Sequence, residues 1–193
     1  VVAVSGQLCH NCVSKASRFV RLCDAFNVPV LTIVDAEGFV PSCSEDIAGG
    51  IREAARLAAT YADATTAKIC LLAGKAVGPV YTALACADLR IAVEGCLVSP
   101  LEPSAAVSVL YKDEIDASDN IIAATNAKAA EYTAQQCSAA AAVAANPYRA
   151  AELGYVDEII LPRQTRFKLI QALDMAHNKI RSNPPKKHGN MAL

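Results

Sequence analysis

The residues with the clearest chemical potential stand near the start of the chain, where Cys9, His10 and Cys12 form a Cys-His-x-Cys run. Such a run resembles half of a zinc site, because thiolate and imidazole are common zinc ligands. A structural zinc needs four ligands, usually supplied as two such pairs. No second pair follows at a useful spacing, since His177 and His188 stand alone. The sequence therefore predicts no metal, and the run is interpreted as a polar loop after the first strand.

Nucleophilic catalysis by a side chain is not indicated. The residue types of a Ser-His-Asp or Cys-His site all occur, but the sequence contains no G-x-S-x-G elbow. The segment from Gly74 to Gly78 joins a predicted strand to a predicted helix, but it lacks the glycine spacing of a nucleotide-binding loop.

The same turn, residues 74–79, suits a different chemistry. A tight turn from a strand into a helix directs backbone N–H groups outward, and the helix dipole adds partial positive charge. Two such donors can stabilise an oxyanion without any special side chain. From composition alone, an ordinary strand–loop–helix turn is the better interpretation.

Alternating strands and helices must position these residues. The apolar run over residues 28–34 is typical of a strand buried on both faces, and the spacing of apolar residues over 13–26 indicates a helix. This alternation implies βαβ units and a largely parallel sheet in a single α/β domain. Further strands are predicted over residues 1–4, 68–73, 89–93, 96–98 and 155–161. Further helices are predicted over residues 45–62, 80–87, 103–111, 121–145, 147–153 and 165–181, with loops over residues 36–44, 74–79 and 112–120.

Composition limits the kind of protein and its surroundings. Apolar residues make up 53% of the 193 residues, charged residues only 19%, and the formal net charge is −1. This charge gives no sign of a nucleic-acid partner, and the longest uncharged stretch, residues 132–148, is too short and alanine-rich for a membrane span. Such an apolar chain is expected to contact another subunit or domain. The eight cysteines, several of them within apolar runs, indicate free thiols in a reducing cytoplasm.

Ordered motifs along nearly the whole chain carry a family resemblance. They are Leu8-x-x-Asn11-x-x-x-Lys15-x-x-Arg18-Phe19-Val20-Arg21-x-Cys23-Asp24-Ala25-Phe26-Asn27-x-Pro29, Val34-Asp35-x-x-Gly38-Phe39-x-Pro41, Gly50-Ile51-Arg52, Lys75-Ala76-x-Gly78-x-x-Tyr81, Asn146-Pro147-Tyr148-x-Ala150-Ala151-x-x-Gly154-Tyr155-x-Asp157 and Pro162-x-x-Thr165-Arg166. With these motifs the chain resembles the biotin-dependent acyl-CoA carboxyltransferases. It is most similar to β subunits of the propionyl-CoA carboxylase type and α subunits of methylmalonyl-CoA decarboxylases.

The resemblance implies a crotonase-like fold, in which ββα units wind into a superhelix. Family members have an N-terminal half that binds acyl-CoA and a C-terminal half that binds carboxybiotin. This chain resembles the C-terminal half alone, with a domain over residues 1–181 and a tail over residues 182–193. The implied partners are the acyl-CoA-binding half, a biotin carrier protein and further copies of the chain, with no metal and no nucleic acid.

The implied reaction moves a carboxyl group between biotin and the α-carbon of a short acyl-CoA such as propionyl-CoA or methylmalonyl-CoA. Backbone N–H groups stabilise the oxyanions, so no catalytic acid or base side chain is needed. In this sequence the biotin oxyanion loop corresponds to Gly78, Pro79 and Val80. Residues expected to bind biotin or substrate are Gly38, Phe39, Tyr81, Thr82, Val93 and Glu94.

Departures from the family pattern concentrate at this loop. Relatives have Gly-Ala at the two donor positions, where this chain has Pro79 and Val80, and proline has no N–H. Thr82 stands where relatives select acyl chain length, and Val93-Glu94 replaces a usual Trp-Pro pair. Cys9 replaces a usual aspartate. An alternative is therefore a non-catalytic, scaffolding subunit with a degenerate oxyanion hole. A CoA hydratase or isomerase is weaker, because the half that would bind CoA is absent.

Overall fold

Strands and helices alternate along the chain, as the sequence predicts. The computed structural model describes residues 1–134 and 147–185. The strands are β1 (Val2–Leu8), β2 (Val30–Phe39), β3 (Lys68–Val77), β4 (Leu89–Val93), β5 (Leu97–Ser99) and β6 (Glu158–Ile160). The helices are α1 (His10–Ala25), α2 (Cys43–Ile47), α3 (Gly50–Asp63), α4 (Gly78–Leu84), α5 (Pro103–Leu110), α6 (Lys112–Asp116), α7 (Ile121–Ala134), α8 (Pro147–Glu152) and α9 (Thr165–Ala176), with a short 3₁₀ helix over Pro162–Gln164.

A parallel sheet organises the described part of the chain. Its strands lie in the order β1-β2-β3-β4-β6, and β5 pairs with the end of β3. All of these pairings are parallel, which confirms the largely parallel sheet predicted from the alternation of strands and helices. β3 is the central strand: β2 lies on one side of it, and on the other side residues 69–72 pair with β4 and residues 75–77 pair with β5.

A bulge in β3 separates these two pairings. Val34 of β2 lies opposite Leu72, but Ala36 lies opposite Ala76, so three residues of β3 face Asp35 alone. The Asp35 Oδ1 accepts the Lys75 N–H at 2.9 Å. A Cβ at Gly74 would lie 2.6 Å from the Asp35 Cγ, and closer still to Oδ1. Glycine is therefore required where the two strands approach each other.

Apolar layers cover both faces of the sheet. Along β3, Cys70 and Leu72 join the larger layer, formed with α1, α3 and α4. Ile69 and Leu71 alternate with them and point into the second layer, which includes Ala172 of α9. This alternation follows the two-residue period of a strand and explains why β3 is apolar at every one of these positions.

Lys68, at the start of β3, is a charged residue inside the larger layer, where its side chain is 2% exposed. Its Nζ donates to the Ala64 carbonyl at 2.9 Å and also to the Tyr61 carbonyl. Burial lowers the pKa of the ammonium group. The side chain caps the carboxyl end of α3 and ties that helix to β3.

Several predicted boundaries are wrong, mainly because glycines and charged residues lie inside strands. β2 continues through the loop predicted over residues 36–44 as far as Phe39, and β3 continues through part of the loop predicted over residues 74–79. The helix predicted over residues 45–62 is two helices, separated at Gly49, whose φ is +88°. The loop predicted over residues 112–120 contains α6. Parts of the helix predicted over residues 121–145 and of the tail lie outside the described residues.

Gly74→Ala is expected to lower the free energy of unfolding by about 1–3 kcal/mol, because the new methyl group meets the Asp35 carboxylate. Denaturant titration at pH 7 measures the change. The double variant Gly74→Ala with Asp35→Ala removes that carboxylate, so its loss should be smaller than the sum of the two single losses. Additive losses would show that the carboxylate does not exclude a side chain at position 74.

Candidate functional site

A cavity of about 740 Å³ opens beside the first turn of α4. Its lining is mostly apolar and comes from β2, α3, α4, the end of β5 and α8. The lining residues are Phe39, Ala54, Ala55, Ala58, Gly78, Pro79, Tyr81, Thr82, Ala83, Val98, Ser99, Pro100, Arg149, Ala150, Leu153 and Tyr155. Phe39 and four residues of α4 among them are site residues expected from the sequence, so the structure brings these five together.

The other four expected residues occupy different positions. Gly38 precedes Phe39 at the end of β2, and Val80 is buried beneath the cavity in the larger apolar layer. Val93 packs in the second layer, on the opposite face of the sheet. Glu94 is exposed after β4, where its Oε1 accepts a hydrogen bond from the Tyr148 hydroxyl at 3.1 Å. The structure therefore separates Val93 from the cavity.

The first turn of α4 contains the backbone N–H groups that are expected to stabilise an oxyanion. Gly78 has a φ of +64°, and a Cβ there would lie 3.5 Å from the Pro100 carbonyl oxygen. Pro79 follows at the start of the helix, a position that proline favours because the N–H there has no helical partner. The helix is therefore compatible with Pro79, but the turn has one N–H fewer to offer a ligand.

Tyr81 joins α4 to the segment before β6. Its hydroxyl donates to the Tyr155 carbonyl oxygen at 2.7 Å. Burial raises the pKa of Tyr81 to about 12, so the phenol stays protonated at neutral pH and serves as a donor. Because Tyr81 and Tyr155 both line the cavity, this hydrogen bond fixes the distance between two of its walls.

Arg90 and Asp157 hold the same segment against β4. The Arg90 backbone N–H and Nε donate to Asp157 Oδ2 at 2.8 and 3.0 Å, and its Nη2 donates to Oδ1 at 3.0 Å. The Asp157 N–H returns a hydrogen bond to the Arg90 carbonyl at 2.9 Å. These hydrogen bonds to Arg90 lower the pKa of the Asp157 carboxyl group. The pair therefore positions Tyr155, two residues earlier in the chain.

Sequence reasoning missed the walls contributed by α3 and α8. Arg149 and Ala150 line the cavity from α8 and Leu153 from just after it, and the Arg149 guanidinium contacts Glu152 at 2.8 Å. The motif that spans residues 146–157 contained the signal, but no role was assigned to it. Its members are about 70 residues from α4 in sequence, and only the folded chain brings the two segments together.

The described residues include no group of three or more His, Cys, Asp or Glu side chains arranged to hold a metal ion. The predicted absence of metal stays a prediction. The described cysteines are free thiols; Cys137 lies outside the described residues. Among the helices of residues 1–134 and 147–185, none is long and apolar enough to cross a membrane.

Comparison with known proteins identifies relatives along almost the whole chain. The family model for the carboxyl transferase domain matches residues 1–191. The chain is 36% identical over 183 residues to the methylmalonyl-CoA decarboxylase subunit alpha of Propionigenium modestum, covering 93% of this chain and 34% of that protein. It is 38% identical over 183 residues to the propionyl-CoA carboxylase carboxyltransferase subunit of Haloferax mediterranei, again covering 93% and 34%.

A solved structure gives the same result at the level of the fold. The crystal structure of transcarboxylase 12S, a hexamer with methylmalonyl-CoA and methylmalonic acid bound, superposes with a TM-score of 0.84 at 34% identity. The match covers 97% of this chain and 35% of that one. The crotonase-like α/β fold expected from the sequence is thereby confirmed, and the chain spans about a third of the length of these relatives.

Asp157→Asn is expected to lower the free energy of unfolding by about 1–2 kcal/mol at pH 7, because it removes a charge-assisted, two-pronged contact that is only partly exposed. The folded state lowers the pKa of Asp157, so this stabilisation is present above the unfolded pKa of about 3.9 and is lost as pH falls through the folded value.

Denaturant titration between pH 7 and pH 2 measures both effects, and the two proteins should converge at the acid end. Glu152→Gln is the matched control, since its pair with Arg149 is more exposed, and it should change stability little. If Asp157→Asn still lowers the free energy of unfolding by the same amount at pH 2, the stabilisation does not come from the Asp157 carboxylate.

Proposed function

Because the chain belongs to the carboxyl transferase domain family, we propose that it is the carboxybiotin-side, C-terminal part of a biotin-dependent acyl-CoA carboxyltransferase. The proposed enzyme moves a carboxyl group between biotin and a short acyl-CoA of the propionyl or methylmalonyl type. The names of the relatives support this substrate class. The observation that carries the proposal is the apolar cavity at the first turn of α4, which is lined by five of the residues expected in the oxyanion loop or in binding biotin or substrate.

The lining of the cavity suits backbone catalysis better than side-chain catalysis. Among its lining residues there is no carboxylate, histidine or cysteine. Tyr81, with its raised pKa of about 12, is poorly suited to accept a proton at neutral pH. The chain's own contribution is therefore to bind and orient the reactants, to exclude water with apolar walls, and to offer backbone N–H groups to a developing oxyanion.

The cavity is large enough for a biotin ring, since about 740 Å³ is within the usual range for small-molecule sites. Biotin bound there, on a partner carrier protein, would supply a carboxyl group attached to its ureido nitrogen. The N–H groups of Gly78 and Val80 lie on either side of position 79, where the family pattern predicts a further N–H donor. Pro79 cannot provide one, so the proposed oxyanion site is weaker than in relatives.

The proposal requires partners, because the chain spans about a third of its relatives. The proposed partner site is an acyl-CoA-binding half, and a biotin carrier must reach the cavity from outside. We place the complex in the cytoplasm. Large hydrophobic side chains on and just after α1 are exposed and support contact with other subunits; they are Phe19, Leu22, Phe26 and Val28.

Replacing Pro79 is expected to raise activity. Pro79→Ala and Pro79→Gly both restore an N–H at the first turn of α4, and a missing oxyanion donor costs roughly 10²–10³ in rate. We expect an increase of about ten-fold or more in decarboxylation of methylmalonyl-CoA with free biotin as acceptor. The assay uses the chain together with its acyl-CoA-binding half. Val80 is left intact, because its side chain is fully buried and a change to alanine would open a cavity in the core.

Pro103→Ala is the matched control, since Pro103 also stands in the first turn of a helix but lies outside the cavity lining. It should not change the rate. Rapid wild-type turnover that Pro79→Ala leaves unaltered would contradict the oxyanion role of this turn. A folded complex that stays inactive in every variant would favour the non-catalytic, scaffolding alternative.

The chain is expected to be oligomeric in solution, because exposed apolar side chains are buried when copies associate. Light scattering at micromolar concentration should give a mass at least twice the 20.2 kDa of one chain. A single species at the monomer mass would contradict this proposal without bearing on the Pro79 experiment.

A further inference from the structure

Two cysteines at the start of α1 form a close pair that the proposed carboxyl transfer does not use. The Cys9 and Cys12 Sγ atoms lie 2.7 Å apart. Cys12 is exposed and Cys9 is half-buried, so small molecules can reach the pair. Both thiols are free in this structure.

Helix capping does not account for the pair. Cys9 is the N-cap residue of α1, and its sulfur accepts the Cys12 N–H at 3.4 Å. Sulfur is a weak acceptor, and serine, threonine, aspartate or asparagine would cap the helix better. Moreover, the side chain of Cys12 contributes nothing to the cap. The feature that needs explanation is the contact between the two sulfur atoms.

We propose that Cys9 and Cys12 form a reversible intrachain disulfide by exchange with a low-molecular-weight disulfide such as glutathione disulfide. The sulfur atoms need to approach by less than about 1 Å to reach a bonded distance of about 2.0 Å. Only two residues separate the cysteines in sequence, and both belong to the same helix start, so closure requires no movement between elements.

The exchange proceeds in two balanced steps. The Cys9 thiolate attacks the small disulfide, which forms a mixed disulfide on Cys9 and releases one thiolate of the reagent. The Cys12 thiolate then attacks the Cys9 sulfur, which forms the Cys9–Cys12 bond and releases the second thiolate. Two protein thiols are oxidised, one small disulfide is reduced to two thiols, and the two thiol protons go to solvent or to the released thiolates.

The local environment favours Cys9 as the attacking residue. The hydrogen bonds from the Cys12 thiol and backbone N–H lower the pKa of Cys9, and the same thiol contact raises the pKa of Cys12. The 16-residue helix α1 adds partial positive charge at Cys9. Of the nearby titratable groups, Glu45 opposes the Cys9 thiolate but is itself held by His10, whose N–H and Nδ1 contact its Oε2 at 2.6 and 2.9 Å.

Mass spectrometry after oxidation tests the proposal without any carboxyltransferase assay, so its outcome is independent of the proposed function. The reduced protein is incubated with glutathione disulfide at neutral pH, quenched with acid, alkylated and digested with trypsin. The peptide that ends at Lys15 contains Cys9 and Cys12 but, within this sequence, no other cysteine. We expect it to lose two hydrogen masses, to escape alkylation, and to regain both thiols after treatment with dithiothreitol.

Single variants assign the roles. Cys12→Ser should accumulate a stable glutathione adduct on Cys9, because the resolving thiol is missing. Cys9→Ser should form its adduct on Cys12 about ten-fold more slowly, because the remaining thiol lacks the lowered pKa. Cys86→Ser is the control: Cys86 is exposed in another part of the chain, and its loss should leave closure of the pair unchanged.

Cys86 in the wild-type protein also reports whether the oxidant is effective. If exposed Cys86 acquires glutathione while the Lys15 peptide stays fully reduced, the proposal is wrong. It is equally wrong if both Cys9 and Cys12 carry separate glutathione adducts and no intrachain bond forms.

Discussion

The contact between Asp35 and the backbone of β3 is the constraint on which the rest of this architecture depends. A parallel strand ordinarily pairs with one strand on each side, but on one side β3 pairs with β4 along its first half and with β5 at its end. The bulge opposite Asp35 lies between these two pairings, and the carboxylate accepts the Lys75 N–H where the regular ladder with β2 is interrupted. The strand that leaves the bulge leads directly into Gly78 and α4, so the same constraint positions the turn at the cavity.

The apolar runs were sufficient to predict where the strands lie along the chain and that they are buried, because residues covered on both faces of a sheet must be apolar at every position. The strand ends could not be predicted in this way. Residues 35–38 and 73–75 include aspartate, glutamate, lysine and glycine, so their local sequence pattern is typical of a loop. In the structure Glu37 and Lys75 are exposed and contact each other at 2.6 Å, so these polar residues can lie on the rim of a strand.

The site was predictable mainly where one short segment contains it, with Phe39 of β2 as the exception. Gly78 to Thr82 are consecutive residues at the start of α4, so recognising this segment was enough to identify four residues that line the cavity. Val93 was assigned because Val93-Glu94 stands where relatives have a Trp-Pro pair, but the two-residue alternation of β4 directs the Val93 side chain to the opposite face. Tyr155 is held at the cavity by its own contact with Tyr81 and by the Arg90–Asp157 contact, which are long-range in sequence and leave no local pattern.

Stability and chemistry make different demands on position 79. In the first turn of a helix the N–H of this residue has no helical acceptor, so proline costs the fold nothing there and even favours the required backbone angle. Its neighbours are constrained much more strongly: Val80 is fully buried, and the Tyr81 hydroxyl is bonded to Tyr155. The structure around the turn can therefore be maintained even though position 79 has no N–H donor. The N–H groups that would stabilise an oxyanion are those of the first helical turn, which have no acceptor within the helix. A well-formed α4 in this fold therefore does not by itself show that an oxyanion is stabilised.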